Sequence, residues 1–420
     1  MPPKSASSPA AAAGSPPDAI VLAEGVFATT SGKTANGLVR HCTKYRVRAV
    51  VDSRHAGKDA GQVLDGNVNG LPIFASIPAA HAAVPSAKVL LVGIAPDGGK
   101  LPPSFEPLLL DAVERGLDIW MGLHDYLNDR PALVEAARRR GVALRDVRRP
   151  KPESELHFFT GEIETVQAYR VAVLGTDSAI GKRTTARLVT NRLSEMGVRT
   201  EFIGTGQTAL LQGCRHGIVL DSIINDYVTG EIEHCVVQAW KEQQPQVIVL
   251  EGQGALTHPA YPGGFELIAA GRPDGIVLQH APGRPALDGF DQYPMPDLRR
   301  EVQLLELLSQ KRVIALALNH ENLTRVEVDA WVEKYEREFG LPTCDPLWHG
   351  ADKLAKAVAR EAFRKEARLV PGWEKQSREC VACEGSGFVL SIREDHGTVG
   401  RADNKKCPKC MGLGRLVVWA

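Results

Sequence analysis

The run VAVLGTDSAIGKRTTARL, Val171 to Leu188, carries an apolar strand into a glycine and reopens on a Gly-Lys pair before a helix-forming segment. Free amides ahead of a helix and the positive end of its dipole both attract anions. Gly175, Thr176, Asp177, Gly181 and Lys182 therefore make a candidate phosphate cradle, with Lys182 reaching toward β- and γ-phosphates. Five residues separate the two glycines, one more than the usual spacing, and Arg183 stands where Ser or Thr is customary. Thr184 or Thr185 is then the hydroxyl available to Mg²⁺. The plainer alternative is an ordinary βα turn with a solvated lysine.

A carboxylate must hold such a metal, and QVIVLEGQGAL (Gln246 to Leu256) offers Glu251 where an apolar strand ends. Acids at that place hold Mg²⁺ directly or through water. Asp221, after GIVL, is the next candidate ligand. Beyond Glu251 stand Gln253 and His258; the imidazole titrates near neutrality and is a candidate for taking a proton from an attacking amine, alongside Glu251. The alternative for His258 is a ring bonded to its own loop. GTGQTALLQG places Gln207 and Thr208 at a strand's carboxyl edge, where ligands of open α/β sheets bind, so both are candidate substrate contacts. So is His124 in GLHDYL. Asn319, after RVIALAL, sits where related phosphate-loop proteins read a purine base.

These residues need parallel strands that end together. From residue 18 to 150, AIVLAEG, RVRAVVDSR and KVLLVGIAPDGG alternate with helical stretches such as FEPLLLDAVERGLDIWMGL, implying a parallel sheet under helices. Residues 151–165 read as a linker. From 166 to 369 the alternation repeats, with strands RVAVL, TEFIG, QVIVLEG, DGIVLQH and RVIALALN and helices over Lys182–Met196, Tyr227–Glu242, Leu298–Ser309 and Arg325–Phe339. The expected fold class is α/β: a Rossmann-like N-terminal domain, then a doubly wound phosphate-loop domain. The first strand lacks G-x-G-x-x-G, so no dinucleotide is expected there.

Residues 372–420 differ. Cys380, Cys383, Cys407 and Cys410 lie in two CxxCxGxG knuckles whose cysteine pairs are separated by 23 residues. Four thiolates so arranged suit a closed, structural zinc site, and the glycines allow the tight turns beneath it. The pattern resembles the cysteine-rich repeats of DnaJ chaperones, cut to one zinc. A redox dithiol is the alternative. Such a ribbon is a candidate surface for a protein partner.

Basic and acidic residues number 50 each, so no net field recruits nucleic acid or an acidic membrane. No apolar run approaches the roughly 20 residues that span a bilayer. Residues 1–17, rich in Pro, Ala and Ser, read as a disordered tail without a signal-peptide core. A cytoplasmic homo-oligomer is the expectation.

Several blocks carry a resemblance. The G-T-D-S-x-x-G-K loop and later E-G-x-G look like the dethiobiotin synthetase branch of phosphate-loop enzymes. GIAPDGGKLP, GLHDYL, RDVRRP, GTDSAIGKRTT, GTGQTALLQG, EGQGALTHPAYPG and CDPLWHG, in that order from Val21 to Lys365, together resemble the D-glutamate N-acetyltransferase-like family. That resemblance implies acyl transfer from acetyl-CoA to the amine of a small amino acid, and its Gly-Lys-x-Thr-Thr loop gives Thr184 the metal role. A phosphate cradle holds coenzyme A as readily as ATP, so an ATP-dependent ligase or carboxylase remains the alternative enzyme. A regulatory nucleotide-binding protein with a partner-binding ribbon is the alternative outside enzymes.

Overall fold

The runs AIVL, RAVV and VLLV are apolar without alternation, which suits strands covered on both faces. In a computed structural model they become neighbours in one parallel sheet. The structure describes residues 15–369, 377–379 and 415–417. It divides into two units, one running to Arg149 and taking in Leu211–Gly213, the other beginning at Pro150.

The first unit has strands β1 (Asp18–Leu22), β2 (Arg46–Val51), β3 (Ile73–Phe74), β4 (Val89–Val92), β5 (Asp118–Met121) and β6 (Leu144–Asp146), in spatial order β3-β2-β1-β4-β5-β6. Helices α1 (Lys33–Arg40), α2 (Ala60–Asp65), α3 (Ile77–Ala83), α4 (Glu106–Glu114) and α5 (Pro131–Arg140) connect them. The strand order reverses between β1 and β4, the switch point of a doubly wound sheet. The helix-like stretch from Phe105 ends where Gly116 adopts φ 78°, and its DIWM part, strand-like in sequence, forms β5.

The second unit is built on β7 (Tyr169–Gly175), β8 (Thr200–Gly204), β9 (His216–Gly217), β10 (Val247–Glu251), β11 (Gly275–His280), β14 (Val313–Leu318) and β15 (Thr343–Cys344), ordered β15-β14-β11-β7-β10-β8-β9. A hairpin of β12 (Ala286–Leu287) and β13 (Phe290–Pro294) leaves the end of β11. The helices are α6 (Lys182–Glu195), α7 (Gln207–Gln212), α8 (Asn225–Gln243), α9 (Phe265–Ala269), α10 (Leu298–Ser309), α11 (Arg325–Phe339) and α12 (Asp352–Leu369). Every residue of β7, β10 and β11 is buried. Each large aliphatic side chain so covered contributes about 1.5–3 kcal/mol. β7 therefore sits in the dry centre of the sheet, and the loop that leaves it is held from both sides. Past α12, β16 (Ser377–Glu379) and β17 (Arg415–Val417) pair antiparallel. The four zinc-candidate cysteines lie outside the described residues. Among the described residues no helix is long and apolar enough to cross a membrane.

Candidate active site

β7 ends in Gly175, and a Cβ there would meet the Ile180 and Lys182 side chains at 2.8–2.9 Å. The loop turns back so closely that a larger residue would have to push both side chains aside. Ala179 at φ 50° and Gly181 at φ 100° complete the reversal, and α6 starts at Lys182. A non-glycine residue in the left-handed region is held there at a cost, and the surroundings show what holds it. Arg284, beyond β11, donates from Nη1 to Asp177 Oδ2 at 2.6 Å and to the Ser178 carbonyl at 3.0 Å, and from Nη2 to Glu321 at 2.5 Å. The Asp288 amide also donates to Asp177 Oδ2, and the Ser178 hydroxyl donates to Asp288. Burial disfavours the Arg284 charge, but Glu321 and Asp177 outweigh it and hold the pKa above its usual value. Asp177 is thus fully buried and engaged on both oxygens.

Lys182 is buried and its Nζ donates to the Asp177 carbonyl at 2.5 Å, so the ammonium lies across its own loop. The two threonines divide. Thr185 is buried and gives its hydroxyl to Gln279 at 2.5 Å; Thr184 is half-buried on the same turn. Thr176 meets His280 Nδ1 at 2.9 Å. Asn319 donates to the Ile180 carbonyl at 3.0 Å and accepts from the Glu321 amide at 2.8 Å. With both ends of its amide so engaged, Asn319 walls the phosphate loop.

Glu251 ends β10, beside β7, and is buried. The Thr205 amide donates to its Oε2 at 2.9 Å. Burial pushes its pKa up, with Arg183, the Thr205 amide, Arg187 and Lys182 pulling the other way. Gln253 donates to the Thr205 hydroxyl at 2.9 Å, tying the end of β10 to the turn that opens α7. Gln207 and Thr208, expected in an open loop, are buried in the first turn of that short helix. Asp221 is exposed in a 3₁₀ turn. Among the described residues, no three His, Cys, Asp or Glu side chains gather as a metal set.

His258 is buried, and its Nδ1 accepts amides from Ala260 and Tyr261 at 3.1 and 3.0 Å. The proton of the neutral ring is therefore on Nε2, which faces Asp177 Oδ1 at 3.4 Å. Burial keeps its pKa down, against the pull of Asp177. Proton uptake at Nδ1 requires those two amides to let go. In the first unit, His124 is exposed, and its ring packs so close to Gly99 (φ 64°) that a Cβ there would lie 2.3 Å from it.

Two family models match this chain, a P-loop domain of DUF1611 over residues 157–355 and the Rossmann-like domain of DUF1611 over residues 53–150. This chain belongs to the DUF1611 family. It is 31% identical over 285 residues to a D-glutamate N-acetyltransferase from Tritonibacter scottomollicae, spanning 66% of this chain and 83% of that protein. A protein of the same name from Pseudoalteromonas sp is 28% identical over 281 residues, 65% and 82% of the two chains. The crystal structure of a DUF1611 family protein from Anabaena variabilis superposes with a TM-score of 0.75 at 30% identity, over 82% of this chain and 99% of that one.

The residues that secure the DUF1611 phosphate loop here were not singled out in the sequence. Arg284, Asp288 and Glu321 come from the β11 and β14 ends. The available signal was APGRPALDG, a Gly- and Pro-rich run with one arginine directly after a buried strand. His280 is also part of this brace, and burial pushes it down to about 4. An unfolded histidine titrates near 6.5, so between pH 6.5 and about 4 the unfolded chain binds more protons. Stability should therefore be indifferent to His280 above pH 6.5 and fall by about 1.4 kcal/mol per pH unit below it. Denaturant melts of the parent and His280→Asn at pH 7.5 and 5.5 check this: the variant's stability should fall less.

Proposed function

We propose that this DUF1611 protein transfers the acetyl group of acetyl-CoA to the amino group of D-glutamate or a closely similar acidic amino acid. Its curated relatives are enzymes of that activity, and the reading is carried by the 31% identity that runs over 83% of one of them. The geometry supplies the parts. The Thr176 and Ser178 amides are already given to the Gln279 carbonyl and Asp177 Oδ1, so it is the remaining loop amides up to Gly181, with the Lys182 ammonium, that suit the pyrophosphate or the 3′-phosphate of coenzyme A. Glu251, whose carboxyl pKa is raised by burial, suits the proton of the incoming amine. The C–N bond forms as the thioester C–S bond breaks, the amine proton passes to Glu251, and coenzyme A leaves as its thiolate. His258, with Nδ1 held by the Ala260 and Tyr261 amides, then shapes its own loop.

The test is acetyl-CoA consumption with D-glutamate, read as free thiol, in the parent and Lys182→Ala. Removing one charged phosphate contact should weaken coenzyme A binding by about 10- to 100-fold. ADP release from ATP in place of thiol release would favour the ligase reading, with Thr184, Asp221 and Glu251 as the residues to hold Mg²⁺.

For the C-terminal segment the reading is a structural zinc on Cys380, Cys383, Cys407 and Cys410. The antiparallel pairing of β16 with β17 brings together the two ends of the stretch that contains the knuckles. Metal analysis of the purified protein should find about one zinc per chain, lost in Cys383→Ser; zinc-free protein would overturn it.

A further inference from the structure

One cation of the second unit, Arg187, leaves two buried nitrogens without a hydrogen-bond partner. Arg187 lies on α6, one turn beyond Arg183 and on the same face. Its guanidinium lies over the Phe202 ring of β8, 4.1 Å from the centroid. Its Nε and Nη2 are buried and have no hydrogen-bond partner. Those two nitrogens form one edge of the guanidinium fork, the edge that grips a carboxylate through two parallel hydrogen bonds. Buried donors of this kind are rare without a purpose, because leaving them unmade is costly.

Cys214, Glu251 and Glu201 all act on the Arg187 charge, and none of them hydrogen-bonds its Nε or Nη2. Cys214 acts on Arg187, but burial pushes its thiol up to about 12 and its Sγ faces the Phe202 and His216 carbonyls. Glu251 also acts on Arg187, yet at a range that makes no hydrogen bond, and its Oε2 already accepts the Thr205 amide. Two guanidinium groups at i and i+4, Arg183 and Arg187, thus stand near a single buried carboxyl.

We infer that Arg187, with Arg183 beside it, binds the carboxylates of the acceptor, making a dicarboxylic amino acid the preferred substrate. Arg187 then takes a carboxylate and Glu251, the buried acid nearby, the ammonium. Arg187 is half-buried overall. The assignment of the ammonium to Glu251 rests on the acetyl-transfer reading; the carboxylate site does not.

Glutarate, which has both carboxylates and no amine, separates the two. Calorimetric titration of the full chain should detect glutarate binding in the parent, weakened about 10- to 100-fold in Arg187→Met and partly restored in Arg187→Lys. The D-glutamate KM should rise in parallel while that for acetyl-CoA stays unchanged. Because the fork has no partner in the fold, Arg187→Met should also melt at or above the parent's temperature, whereas a structural arginine would lower it. Equal glutarate affinity in parent and Arg187→Met, or no binding to either, overturns the site. Glutarate binding that depends on Arg187 in a protein that acetylates nothing upholds the site and sinks the acetyl-transfer reading alone.

Discussion

Glu251→Gln is expected to lower kcat for D-glutamate acetylation by about 10²–10⁴-fold, the usual worth of a positioned general base. The substitution keeps the shape and leaves an oxygen to accept the Thr205 amide, which now donates to Oε2 at 2.9 Å. What it removes is the capacity to take a proton. KM for acetyl-CoA should therefore change little, a separation that distinguishes lost proton transfer from a collapsed site. Burial raises the Glu251 pKa above the ordinary carboxylic range, so the acid limb of kcat/KM in the parent should lie above that range too. Activity falls as pH drops through this pKa, because the protonated carboxyl cannot accept a second proton. In Glu251→Gln the residual rate should lose that limb. A variant with parental kcat would remove Glu251 from the chemistry and return the question to His258.

The central strands of both units were legible because their apolar runs are long, but the two- and three-residue strands β3, β6, β9 and β15 were not. Two helices, Leu298–Ser309 and Arg325–Phe339, have the bounds their periodicity suggests. The capping box of Thr324 with Glu327 marks one start outright. The phosphate loop and Glu251 were legible for a related reason: local backbone geometry sets both, and local geometry is written in consecutive residues. Pairings across the sheet were not. Nothing in GTDSAIGK names Arg284, which lies 107 positions from Asp177. Asn319 shows the same limit. Its place after a strand was read correctly, but its partner is the Ile180 carbonyl, 139 positions away. Gln207 and Thr208 fell to a different cause, since a six-residue helix is too short to show periodicity.

The Asp177–Arg284 contact also gives the largest stability effect expected in this protein. Both side chains are almost wholly covered, at 0% and 6% exposure, and their hydrogen bonds are charge-assisted. Arg284→Met leaves Asp177 buried with its charge unmatched, and removing one member of a buried pair costs about 3–5 kcal/mol. In a unit of this size that corresponds to a fall in Tm of about 10 °C. The penalty comes from the stranded carboxylate, so Asp177→Asn placed on top of Arg284→Met should recover part of it, and a double-mutant cycle from denaturant melts measures how much. The same contact fixes the strained turn at Ala179, so coenzyme A affinity should fall with stability in Arg284→Met. A conservative Arg284→Lys should keep some of the stability and little of the affinity, since one ammonium cannot reach Asp177, the Ser178 carbonyl and Glu321 together as the guanidinium does. If Arg284→Met melts with the parent, the loop is held by something other than this clamp, and the order of the phosphate cradle must come from the β7 and β11 backbones alone.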